Sequence, residues 1–106
     1  MIAALLLTVA MGIPLNEDFF IVSSVDIARS RLVVKRPTEV TVVIDVTRQT
    51  VIRAEKGESL RLSDLRAGDT IYVATKTAAD GALSAMTIRR GPMTLEELHR
   101  RYLVPH

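Results

Sequence analysis

The residues able to do chemistry are few and badly placed for it. The chain of 106 residues has two histidines and no cysteine. His99 and His106 stand seven apart near the end of the sequence, not at the i, i+4 spacing that sets two imidazoles on one helical face. Without cysteine there is no disulfide framework, thiolate zinc site, iron–sulfur cluster or thiol nucleophile. Met86 offers a soft sulfur, but a single methionine on a strand reads as core filler. Ser23, Ser24, Ser30 and Ser84 lack a neighbouring imidazole to deprotonate them. Asp26, Asp45 and Asp69 are explained as well by turns and solvated surface as by acid–base work. The sequence therefore predicts no enzyme, no catalytic residue, no metal site and no cofactor.

The basic residues make a different suggestion. Lys35-Arg36 and Arg89-Arg90 each close an apolar stretch, and Arg29, Arg31, Arg48 and Arg53 add to the count. With Tyr72 they form the candidate binding set: Lys35, Arg36, Tyr72, Arg89 and Arg90. A single-stranded nucleic acid would use such charges together with stacked aromatic rings. The chain has only two Phe and two Tyr, and its formal net charge is +2, with acidic residues interleaved among the basic ones. The balance favours a mixed-charge, solvated surface over a polyanion site.

Those side chains must be held by strands. Aromatics are 4% of the chain, so the core falls to Val, Ile and Leu. Residues 18–25 and 31–36 read as two strands joined by a loop of about five residues. Residues 39–47 alternate: Val40, Val42, Ile44 and Val46 on one side, Thr41, Val43, Asp45 and Thr47 on the other. Arg48-Gln49 interrupts, and residues 50–53 resume as a short continuation. Ser63 is positioned to cap one helical turn that Gly68 ends, with Leu62 and Leu65 plugging one end of a barrel. Residues 70–77 and 82–90 read as strands around an Asp80-Gly81 hairpin turn. Gly91-Pro92 stops the run. Thr94 to Glu97 then form a capping box for a helix whose apolar stripe is Leu95, Leu98 and Tyr102.

The predicted fold is all-β: a small OB-like antiparallel barrel of five to six strands, one helical turn and a C-terminal α-helix. Residues 1–12 form a hydrophobic N-terminal segment, residues 13–91 the barrel, and residues 92–106 the helix and tail. The apolar run from Met1 to Met11 is too short to span a membrane and matches the core of an export signal, with cleavage before Ile13. No Lys or Arg precedes it, and a buried first element of the domain is the alternative. The tail helix would dock on its own barrel, on a second copy or on an envelope protein.

One order of features carries a resemblance. It runs through Val25-Asp26, the Leu32-Val33-Val34 strand, Thr50-x-Ile52, Gly57, Ser63-Asp64-Leu65-x-x-Gly68-Asp69, Ile71-x-Val73, Asp80-Gly81 and Leu83-x-Ala85. Over residues 18–91 this resembles a family of small bacterial barrels of unknown function found in exported proteins. The resemblance implies an OB-like barrel and a periplasmic or secreted location, and it implies no reaction. The periplasmic copper-carrying efflux chaperones also look similar in topology and share the Leu-x-x-Gly-Asp turn. They hold metal through His, Met and Trp, whereas this chain has no Trp and no His before residue 99. The functional expectation is a non-catalytic binding or structural module of the bacterial envelope. A single-strand binder and a periplasmic metal carrier are the alternatives.

Overall fold

A computed structural model describes residues 16–95. Five strands close into a barrel: β1 (Asp18–Asp26), β2 (Arg31–Lys35), β3 (Thr41–Arg53), β4 (Thr70–Thr77) and β5 (Leu83–Arg90). Around the barrel the order is β1-β2-β3-β5-β4, with β4 returning to β1. Four seams are antiparallel, and the β3–β5 seam is parallel. This is the OB-like all-β barrel that the alternation implies, with five strands rather than six.

The count settles at five because Arg48-Gln49 does not end a strand. β3 runs unbroken for thirteen residues, and the interruption is a bulge inside it. The β3–β5 register jumps from Val46↔Ala85 to Val51↔Thr87, so four residues of β3 oppose Met86 alone.

Turn chemistry closes the other connections. Gly81 takes φ +90°, and Asp80 Oδ1 accepts the Ala82 N–H at 3.0 Å, so the Asp-Gly pair makes the β4–β5 hairpin as its sequence demands. Between β3 and β4 lies a short 3-10 turn, η1 (Leu62–Asp64). It begins one residue before the expected cap at Ser63. Asp64, not Ser63, supplies the oxygen, its Oδ2 accepting the Arg61 N–H at 2.8 Å. Gly68 is left-handed, at φ +95°, but serves a separate turn in which the Asp69 N–H reaches the Arg66 carbonyl.

The interior is packed by Phe20, Val22, Leu32, Val34, Ile44, Ile52, Ile71, Val73, Ala85 and Ile88, with Leu65 entering from the η1 end as the plug. Leu62 and Leu60 pack behind it. Within β3, Ile44 is buried and Val42 and Val46 are half-buried, while Val43 looks outward, as the period of two requires. Val40 precedes the strand and is exposed, so it drops out of the predicted inward set. No helix among the described residues is long and apolar enough to cross a membrane. The predicted N-terminal segment, and Leu98 and Tyr102 of the predicted tail helix, lie outside the described residues. Leu95, at their edge, is exposed.

Candidate functional site

The five predicted binding residues do not form one surface. Lys35 Nζ lies 3.9 Å from Glu39 at the β2–β3 turn. Arg36 pairs with Asp18 at 3.7 Å, and its guanidinium covers the Phe20 ring at 5.1 Å. Arg90 reaches Glu55 at 3.4 Å, beside a hollow that also involves Gly68, Asp69 and Thr70. Only Tyr72 and Arg89 are brought together. They are cross-strand partners, with the guanidinium 4.4 Å above the tyrosine ring and a second bond to Glu17 at 3.0 Å.

Tyr72 is no open stacking platform. Its neighbours Ile71 and Val73 point into the barrel, so its own side chain lies on the outer face, opposite Phe19. Both are nonetheless buried, at 6% and 1% exposure. Their rings meet at 5.1 Å and 59°, a tilted contact that aromatic quadrupoles favour. The tyrosine hydroxyl donates to the Pro92 carbonyl at 3.2 Å and accepts the Thr94 N–H at 3.0 Å. The cluster thus ties the segment that follows β5 onto the barrel.

The carboxylates are equally occupied. Asp45 meets Arg31 at 3.1 Å across β2 and β3. Asp26 accepts the Arg29 backbone N–H at 3.1 Å, and this bond, followed by the Arg29 guanidinium, holds its carboxyl below the usual range. The Glu55 carboxyl is also lowered, first by its own backbone N–H and then by Arg90. A general acid at neutral pH needs the opposite shift.

A groove of about 530 Å³ lies elsewhere, over the outer face of β5. Sequence reasoning missed it. Its described lining comprises Thr47 and Gln49 from the β3 bulge, Lys76 and Ala78 from β4 and its turn, and Ser84, Ala85, Met86 and Thr87 from β5. Two irregularities build it. The β3 bulge takes residues 47–50 out of the ladder with β5, and the β4–β5 register shifts between Ala74 and Thr75, where Met86 is skipped. Met86 and Thr87 are therefore both exposed, and Met86 is not the core filler its sequence suggests. The bulge is fixed in shape. Thr50 Oγ1 donates to the Ala85 carbonyl at 2.6 Å and accepts the Thr47 N–H at 2.9 Å, while Gln49 N–H bonds Thr47 Oγ1. The one available signal was the broken alternation at Arg48-Gln49.

The β2–β3 face, which carries ligands in many OB barrels, presents the half-buried Val33, the exposed Val43 and the Arg31–Asp45 pair, with no aromatic ring. No group of three or more His, Asp or Glu able to hold a metal occurs among the described residues.

No protein-family model matches this chain, and no curated protein matches its sequence. Solved structures share its fold, among them the following two. One is a Cu(II) structure of a tryptophan-to-alanine variant of CusF from Escherichia coli, at TM-score 0.56 and 13% identity, over 72% of this chain and 90% of that one. The other is Ag(I)-bound CusF, at TM-score 0.53 and 14% identity, over 74% and 100%. The architecture is thus that of a small OB-like barrel.

Proposed function

We propose that this chain is a non-catalytic binding module of the bacterial cell envelope that takes its ligand in the groove over β5. The carrying observation is the double irregularity that opens the groove in an otherwise closed barrel. The interior is filled by side chains, so a ligand has to bind outside. A bulge costs ladder hydrogen bonds, and here Thr50 is spent on keeping its shape. The apolar run from Met1 to Met11, with Ile13 as the expected mature start, supports the envelope assignment.

The test is a ¹H–¹⁵N titration of the full chain with small sugars, amino acids and carboxylates. Saturable shifts confined to Thr47–Thr50 and Ser84–Thr87 are expected for at least one compound. Shifts gathered instead on β2 and outer β3 would move the site to Val33 and Val43. Mass spectrometry of the native protein should show an N-terminus near Ile13, and an intact Met1 in a cytosolic fraction would remove the envelope assignment.

The two CusF structures, one with Cu(II) and one with Ag(I), favour a second reading, a metal carrier. Met86 is a soft donor in the groove, but a thioether alone does not hold copper, and its groove neighbours are hydroxyls, an amide and an ammonium. Calorimetric titration with Ag(I) decides it: a stoichiometric heat lost in Met86→Leu would establish the carrier reading.

A further inference from the structure

The geometry points to the β5 groove as a receptor for a small oxyanion, a carboxylate or phosphate on a short apolar body; this rests on the groove being the binding site. Lys76 is the single charged group among the described lining residues. It faces Ser84 across the β4–β5 ladder, and Thr87 stands one outward pair further along, opposite Ala74. The six ion pairs among the described residues use Arg29, Arg31, Lys35, Arg36, Arg89 and Arg90, leaving Lys76 with no carboxylate. The carboxylate in register with Ser84 across β3–β5 is Asp45, and Arg31 already neutralises it.

The remaining polar groups agree in kind. The hydroxyls of Ser84 and Thr87 and the side-chain amide of Gln49 can all donate, and none is tied to another described side chain. An ammonium surrounded by neutral donors suits a group that only accepts and carries negative charge. The exposed Met86 side chain supplies the apolar wall for the body of the ligand.

Three probes that share a short alkyl chain separate the possibilities: butyrate, butyl phosphate and butanol, titrated into the ¹⁵N-labelled full chain at constant ionic strength. Saturable shifts at Lys76, Ser84, Met86 and Thr87 are expected with at least one anion and not with butanol, and the anion that binds identifies the source. Lys76→Gln should weaken that binding on the order of tenfold, the effect of losing one charge-assisted hydrogen bond, with an unchanged melting temperature. Equal binding of butanol, or anion binding unaltered in Lys76→Gln, would overturn the oxyanion assignment while leaving the groove as a site. If no compound, charged or neutral, moves the groove signals, the groove reading falls as well.

Discussion

Tyr72 shows how one side chain can be misread when its partners are distant in sequence. On the outer face of β4 it has the position of a stacking platform, yet Phe19 and Arg89 occupy its ring. Its hydroxyl is the only part left to bond outward, and both its bonds go to the chain after β5. Tyr72→Phe keeps the ring contacts and removes those bonds. It should cost about 1 kcal/mol, or a fall of about 4–8 °C in melting temperature for a domain of this size. Exchange of the Thr94 amide should quicken in the same variant, and unchanged exchange there would show that the hydroxyl does not hold this segment. Asp26 and Glu55 carry a second prediction. Both carboxyls are lowered in the folded chain, so both favour folding above the ordinary carboxylate range. That contribution fades as pH falls through the lowered values. The urea midpoint should therefore decline between about pH 5 and pH 3, and the double variant Asp26→Asn, Glu55→Gln should decline less steeply.

At the scale of elements, the bulge of β3 decides the most. Thr50 Oγ1 fills the gap left in the β3–β5 ladder by serving the Ala85 carbonyl and the Thr47 amide together. Thr50→Val has nearly the same shape and offers neither bond. It should destabilise the barrel by about 1–3 kcal/mol, because two backbone groups lose their partner, and denaturant unfolding measures it. Leu65→Ala at the plug should cost more, about 2–5 kcal/mol, since Leu65 is buried and closes the core. A loss within 0.5 kcal/mol would mean that η1 lies over the barrel rather than sealing it. Much of this layout was legible in the sequence. Alternation marked β3, Asp80-Gly81 marked the β4–β5 hairpin, and Leu65 marked the plug, because each depends on residues a few positions apart. The groove was not legible. Whether Arg48-Gln49 breaks β3 or bulges from it depends on β5, a parallel neighbour far along the chain. Met86 and Thr87 both face outward, between the buried Ala85 and Ile88, because β4 and β5 change register beside them. The ion pairs that dissolve the predicted basic site are remote too: Arg89 with Glu17 and Arg90 with Glu55 join residues 72 and 35 positions apart.

Over the whole molecule, those pairs decide what the positive charge can do. Half of the twelve basic residues between positions 16 and 95 are matched to a carboxylate. A polyanion would have to displace Asp18, Glu17 and Glu55 to reach Arg36, Arg89 and Arg90. It would also find Phe19 and Tyr72 already buried against each other. Binding of single-stranded DNA should therefore stay in the non-specific range, with Kd no tighter than about 10⁻⁶ M, and it should vanish as salt is raised from about 50 to 200 mM. Fluorescence anisotropy at the two salt concentrations reads this directly. The triple variant Glu17→Gln, Asp18→Asn, Glu55→Gln is the informative companion. It frees three guanidiniums without adding a basic residue, so its affinity for DNA at low salt should exceed that of the natural chain, with a steeper salt dependence. Tight, salt-resistant binding by the natural chain would mean that these ion pairs open readily, and the barrel would then have to be read as a nucleic-acid protein.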